Sequence, residues 1–179
     1  MFFVTNTASK TPIDCVNKMK SMGYTGAKES QIYAMADVLA KYLKKKFPEV
    51  RKVFAIGLKS MRDSLEAQGV EVLGADQPVI PEEIELSAEE FESLELDHDV
   101  GAVVYGADFY FNYNKILLAS LYLNELKVPL IVTNDDSSAL IRNRLMPGAG
   151  AGLAAILAMT KLERGSHVGS SLLNEPGTF

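Results

Sequence analysis

The chain has 179 residues, 47% of which are hydrophobic, and its formal net charge is −5. This composition predicts a folded core, and the basic residues, scattered apart from Lys44–Lys46, argue against a surface that binds nucleic acid. No apolar run reaches the length of a membrane span, and the single Cys15 excludes an internal disulfide. We therefore expect a soluble, cytoplasmic protein with neither a membrane nor a nucleic acid as its partner.

The amino-terminal part predicts one strand and two helices. Phe2–Val4 form an apolar strand, and Thr11 with Pro12 gives the N-cap and first position of a helix. A second helix is predicted over Gln31–Lys45, where apolar residues recur at helical spacing. Because buried parallel strands normally have neighbours on both sides, we expect further residues of the fold to precede this first strand.

Three short apolar segments predict one parallel sheet. They are Val53–Ile56, Val100–Val104 and Leu130–Val132, with a fourth strand at Gly69–Leu73. A crossover helix is predicted over Lys115–Leu123. Ligands of open α/β sheets bind beyond the carboxyl ends of the strands, so the loops that follow these segments are candidate sites.

The loops after two of these strands are rich in acids, amides and aromatic residues. Ala107–Asn114 follows one strand, and Thr133–Ser138 follows the next. Glycines in Met146–Gly152 precede an apolar helix predicted over Leu153–Met159; they could hold a phosphate, but close backbone packing is the favoured interpretation.

Three other features carry less chemistry. The acidic segment between residues 76 and 97 predicts a solvated surface with one helical turn at Ser87–Ser93. Neither His98 nor His167 has a neighbour at metal-ligand spacing, so we predict no zinc site. Cys15 is expected to face the core of its helix.

Several stretches together resemble one family, the 4-nitrophenylphosphatase, phosphoglycolate phosphatase and pyridoxal phosphatase group of the haloacid dehalogenase (HAD) superfamily. The matching stretches follow the family's order and spacing up to about Thr160. They are FFVTNTASKT, ESQIYAMADVLAKYL, VFAIGLKSMRDSLEAQGVEVLG, DVGAVVYGADFYFNYNK, LIVTNDD and MPGAGAGLAAIL.

This resemblance implies an α/β fold in which fragments of a Rossmann-like HAD core flank an inserted α/β cap of the C2 type with a mainly parallel sheet. The implied division is a partial core over residues 1–45, the cap over 46–146, and a partial core with an irregular tail over 147–179. The cap is also the expected surface for a homo-oligomer.

For chemistry, the resemblance implies a hydrolase that attacks a small phosphorylated metabolite with an aspartate of a DxDG motif and uses Mg²⁺. Thr5, with Asn6 beside it, matches the family's phosphate-binding position. The sequence has no DxDG motif, the family's VGKPS lysine position reads Val168–Ser171, and the expected Mg²⁺-binding acids are absent. We therefore predict that this chain alone is inactive, whether through truncation or through real loss of the missing parts.

The cap loops carry the expected substrate residues. The family pattern G-x-D-P-H-F-x-Y corresponds to Gly106–Tyr113, with Phe109 and Tyr110 in place of Pro and His. Asp108 could contact the substrate or cap the following helix, and Tyr110 could contact the substrate or form an interface, as could Tyr113. Asn134 and Asp136, in the family's TNxD, could bind substrate but are also typical of residues that fix their own turn.

Two alternatives to a hydrolase fragment remain. One is a non-catalytic module that dimerises through the cap, and the other is a module that binds a phosphorylated metabolite without hydrolysing it.

Overall fold

The computed structural model describes residues 2–5, 10–80, 86–141, 143–160 and 162. The strands within these residues are β1 (Phe3–Thr5), β2 (Ile32–Ala34), β3 (Lys52–Ile56), β4 (Glu71–Gly74), β5 (Val100–Tyr105), β6 (Leu130–Val132), β7 (Ser138–Ile141) and β8 (Arg144–Pro147). The helices are α1 (Pro12–Ser21), α2 (Met35–Lys46), α3 (Lys59–Glu66), α4 (Ala88–Glu92), α5 (Tyr113–Leu121) and α6 (Ala149–Met159). A 3₁₀ turn at Glu29–Gln31 precedes β2, and a π-helical turn at Tyr122–Leu126 follows α5.

The central sheet is parallel and has the strand order β4-β3-β5-β6. The three apolar segments predicted to share a sheet therefore do so, and the predicted α/β class is confirmed. The chain leaves β3 toward β4 on one side and returns to β5 on the other. The direction of winding thus reverses between β3 and β5, where open α/β sheets commonly bind ligands.

Both faces of this sheet are buried, as parallel strands require. In β3, Val53 and Ala55 face one apolar cluster, while Phe54 and Ile56 face the other. Helices α2 and α3 cover the first face, and α5 and α6 cover the second. The predicted division assigns α2 and α6 mainly to core fragments, yet both pack on this sheet.

The predicted helix over Gln31–Lys45 is wrong at its start. Ile32–Ala34 form β2, which pairs in parallel with β1 through Phe3↔Ile32 and Thr5↔Ala34, and the helix begins only at Met35. Ile32 fits the helical spacing of the residues after it, but pairing with a strand far away in sequence takes precedence. The first strand is less covered than expected, since Val4 is 51% exposed.

The capping residues that predict helix starts were more reliable than the spacing of apolar residues. Thr11 and Asp14 form the capping box that begins α1, and Ser87 and Glu90 form the one that begins the predicted acidic turn. Helix α6 begins at Ala149, four residues before the predicted Leu153, so two of the glycines lie inside it. The β7–β8 hairpin was not predicted.

Arg62 protects the exposed edge of the central sheet. Its side chain is 8% exposed and donates to the outward carbonyls of Val72 and Gly74 on β4 and, at 2.7 Å, to Asp76. Burial alone would raise the pKa of Asp76, but the hydrogen bond and charge of Arg62 more than offset this and lower it. Edge strands that keep free backbone groups invite unwanted pairing, so Arg62 blocks such contacts.

No described helix is both long and apolar enough to cross a membrane.

We predict that Arg62→Ala lowers the free energy of unfolding by about 3 kcal/mol, because two carbonyls and the Asp76 carboxylate lose a buried partner. Urea denaturation followed by circular dichroism measures the change. The matched control is Lys59→Ala, three residues before Arg62 on α3. It removes an exposed ion pair with Asp63 and should leave stability unchanged. An Arg62→Ala chain as stable as the wild type would contradict this account of the edge.

Candidate functional site

The four predicted cap residues lie at one edge of the central sheet. Asp108 and Tyr110 follow the carboxyl end of β5, and Asn134 and Asp136 follow that of β6. Because β5 and β6 are neighbours in a parallel sheet, their carboxyl ends lie side by side. The structure therefore places the starts of the two polar loops side by side at this edge of the sheet.

The groove beneath these loops, between β3 and β5, is filled by a methionine. A Cβ atom at Gly57 would lie 2.8 Å from the sulfur of Met61, and one at Gly106 would overlap the Met61 methyl group. Met61 is fully buried. Next to it, the buried hydroxyl of Thr133 has no hydrogen-bond partner among the described residues. A ligand at this edge would thus meet the loops rather than the strands.

Asp108 points inward and is held by a lysine. Its carboxylate lies 2.6 Å from the ammonium group of Lys115, and the two side chains are only 1% and 10% exposed. Asp108 does not cap α5; that role belongs to Asn112, whose side chain accepts from the Lys115 amide at 3.1 Å. Lys115 was not predicted as a partner, although a lysine in the first turn of an apolar helix is a signal that its charge needs one.

Tyr110 points outward, together with its aromatic neighbours. Phe109, Tyr110 and Tyr113 are 79%, 69% and 76% exposed. Phe111 instead turns inward and packs edge-on against Tyr105, with ring centroids 6.1 Å apart. The loop therefore has an anchored base and an exposed aromatic tip.

Tyr105 joins this loop to α6. Its hydroxyl donates to the Ala149 carbonyl at 2.6 Å. Burial and then the nearby Asp108 carboxylate raise the pKa of Tyr105, so the hydroxyl stays protonated as a donor. A Cβ at Gly152 would overlap this hydroxyl, which explains one of the glycines in α6.

The loop after β6 is fixed by its own side chain and by two glycines. Asn134 accepts from the Asp136 amide at 3.1 Å, as expected for a residue that fixes its own turn. The Gly150 amide donates to the Asp136 carbonyl at 2.8 Å, and Cβ atoms at Gly148 and Gly150 would overlap backbone carbonyls of this loop. These glycines serve close backbone packing, the interpretation that the sequence favoured.

Thr5 lies elsewhere, at the end of β1 in the separate two-stranded sheet. It borders a cavity of about 510 Å³ whose lining also includes Phe3, Lys10, Cys15 and Met19. Burial raises the pKa of the Cys15 thiol, so the thiol remains neutral. Asn6, the other predicted phosphate-binding residue, lies outside the described residues.

The described residues do not fit the Mg²⁺ ion that the resemblance implies. Among them, no three histidine, cysteine or acidic side chains gather where they could hold a metal ion. In the loop after β5, the Asp108 carboxylate is instead paired with Lys115 and accepts from the Tyr110 amide. No chemical step through a metal ion can be derived from these side chains.

Comparison with known proteins identifies the relatives. The family model described as haloacid dehalogenase-like hydrolase matches residues 1–71. The 4-nitrophenylphosphatase of Schizosaccharomyces pombe is 33% identical over 153 residues, which cover 84% of this chain and 50% of that protein. Phosphoglycolate phosphatase 1A of Arabidopsis thaliana, a chloroplastic protein, is 33% identical over 182 residues, which cover 100% of this chain and 48% of that protein.

The resemblance to haloacid dehalogenase-like hydrolases is thereby confirmed. The fold agrees, since the p-nitrophenyl phosphatase from Archaeoglobus fulgidus superposes with a TM-score of 0.73 at 18% identity, covering 97% of this chain and 58% of that one. The chain spans about half the length of the curated relatives it matches.

We predict that Gly150→Ala destabilises this hydrolase-like fold by about 2 kcal/mol, because the added methyl group would meet the Asp135 carbonyl. Helix propensity alone predicts the opposite sign, since alanine is better than glycine in a helix by about 1 kcal/mol. Thermal unfolding gives the sign directly. The control Ala154→Gly, at an exposed position of α6, should destabilise by only about 1 kcal/mol. A more stable Gly150→Ala chain would show that the loop does not approach α6 closely.

Proposed function

We propose that this polypeptide supplies the substrate-facing part of a phosphomonoester hydrolase that acts on a small phosphorylated metabolite, and that it does not hydrolyse the ester by itself. The matches to phosphatases support the first half. The observation that carries the second half is that the sequence contains no Asp-x-Asp-Gly motif.

The size of this deficit decides between an inefficient enzyme and an inactive one. Phosphoryl transfer through an aspartyl-phosphate needs a placed nucleophile and groups that stabilise the charge developing on the phosphate. Each tenfold loss in rate corresponds to about 1.4 kcal/mol of transition-state stabilisation, and loss of such groups usually removes several of these steps. The hydroxyl of Thr5 can bind a phosphate oxygen but cannot replace an aspartate. Mg²⁺ remains the proposed cofactor of the complete hydrolase.

The proposed recognition residues divide between two places. Thr5 and Asn6 would contact the phosphate, while Tyr110, Asn134 and Asp136 would contact the rest of the metabolite. Asp108 is too deeply buried for direct contact, which favours a supporting role within the loop. The domain boundaries at 45/46 and 146/147, and a cytoplasmic location, remain predictions.

The test is hydrolysis of 4-nitrophenyl phosphate by the purified chain with Mg²⁺. We expect turnover no higher than that of the Thr5→Ala variant, because the nucleophile is missing. Thr5→Ser, which keeps the hydroxyl, is the matched control for folding and purity. Magnesium-dependent turnover that Thr5→Ala abolishes and Thr5→Ser retains would contradict the proposal.

A second candidate function is assembly through the cap, and the exposed aromatic tip favours it. Aromatic residues are enriched in protein interfaces, and Phe109 and Tyr113 are among the most exposed large apolar side chains of the described residues.

If the tip forms a homodimer, light scattering should give twice the chain mass for the wild type and the monomer mass for Phe109→Ser/Tyr113→Ser. Leu140→Ser removes an apolar side chain of similar exposure from the β7–β8 hairpin and serves as the control. A monomeric wild type at all concentrations tested would remove this candidate.

A further inference from the structure

The cavity beside β1 has apolar walls that solvent reaches. Among the described strands, β1 pairs only with β2, so its other edge carries no strand. Phe2 and Met22 line the cavity and are each 68% exposed. Exposed apolar side chains that gather around a hollow of about 510 Å³ are typical of a surface that a partner covers.

The charge around this cavity is positive. Its described lining includes Lys10 and Lys18 but no acidic residue. The sequence around it has the same bias, since residues 1–46 contain eight lysines and three acidic residues. An anionic surface is therefore attracted to this part of the molecule.

The opposite charge lies in another segment of the same sequence. Residues 76–99 contain ten acidic residues and no lysine or arginine. Helix α4 lies within this segment, where Phe91 is 46% exposed and is surrounded by the exposed side chains of Glu89, Glu90 and Glu92. A large aromatic side chain within a charged rim has the composition of an interface anchor.

Helix α4 of the same chain does not fill this cavity. Phe91 is not among the described lining residues. Leu86 and Leu94, on either side of α4, pack against the cluster that α5 and α6 form on the central sheet. The cavity residues Cys15 and Ile32 belong to a separate apolar cluster. A second copy of the chain can bring its own α4 to the cavity.

We propose that two copies of this chain associate through these unlike surfaces, with Phe91 of one copy in the β1 cavity of the other. The glutamates beside Phe91 then face Lys10 and Lys18. A buried phenylalanine covers about 150–250 Å², so the contact is small and we expect a dissociation constant of about 100 μM. This inference goes beyond the proposed function and does not involve the aromatic tip at Phe109.

The experiment is sedimentation velocity of the whole chain at concentrations on both sides of that dissociation constant. We expect the average mass of the wild type to rise with concentration to at least twice the chain mass. Raising the salt concentration to about 0.5 M should weaken association about tenfold, because salt screens the charges across the contact.

Two variants test the two surfaces, and each has a matched control. Phe91→Ser and Lys18→Glu should each weaken association at least about tenfold, because one removes the anchor and the other repels the glutamates. Leu140→Ser removes an apolar side chain that is 72% exposed elsewhere, and Lys20→Glu makes the same charge change on α1 outside the cavity lining. Both controls should leave association unchanged.

A mixture of the two variants tests whether the surfaces meet. Phe91→Ser keeps an intact cavity and Lys18→Glu keeps an intact α4, so each should be monomeric alone, whereas the mixture should form a 1:1 dimer. Circular dichroism checks that each variant is folded. Glu92→Lys, an exposed change next to the anchor, replaces Phe91→Ser if that variant does not fold.

The outcomes decide the inference without touching the proposed function. A wild type that stays monomeric overturns it, as does association that Phe91→Ser and Glu92→Lys leave unchanged. Association that Phe109→Ser/Tyr113→Ser abolishes and Phe91→Ser retains would assign the contact to the aromatic tip and also overturn it. A mixture that stays monomeric while the wild type associates would show that the two surfaces do not meet. Hydrolysis of 4-nitrophenyl phosphate tests the proposed function separately.

Discussion

Strand β5 is hydrogen-bonded on both edges and covered on both faces, and the candidate site depends on that position. Its pairing with β3 and β6 fixes where the chain leaves the sheet at Gly106. The loop that follows can then carry polar and aromatic side chains because its starting point is rigid.

At the carboxyl edge of this sheet, packed side chains and backbone occupy space in which a ligand could otherwise contact the strands. Met61 fills the groove where the winding reverses, and the glycines of α6 let the loop after β6 lie directly on the helix. In a sheet arranged in this way, the polar side chains lie on loops above a closed surface. The chain matches phosphatases over about half their length.

The sequence predicted the features that depend on local or periodic signals. The apolar runs of β3, β5 and β6 and the Thr11 cap were all readable, because each depends on neighbouring residues. The start of α2 was not, since Ile32 fits a helix and only its pairing with distant Phe3 makes it a strand. The β7–β8 hairpin was missed for a related reason, since Leu140 and Leu145 are exposed and its apolar residues give no alternating pattern.

The sequence predicted which loops are candidates for the site, but not the contacts inside them. Composition placed Asp108 and Tyr110 in a candidate loop, yet the inward orientation of Asp108 depends on its partner Lys115, seven residues further along the chain. Family resemblance supplied Thr5 and Asn6, and no spacing rule could place Thr5 in a sheet separate from the cap loops. The sequence did not reveal two kinds of contact. These are ion pairs between side chains across a loop, and sheets formed by segments that are distant in sequence.

The central claim of the proposal is that this chain, whose sequence has no Asp-x-Asp-Gly motif, holds no aspartate nucleophile and cannot form an aspartyl-phosphate by itself. Beryllofluoride combines with such an aspartate in the presence of Mg²⁺ and mimics the aspartyl-phosphate, so fluorine magnetic resonance of the purified chain tests the claim directly. The account predicts only the resonances of free beryllofluoride. A bound resonance that requires Mg²⁺ would show that the chain holds a working nucleophile, and would contradict the account.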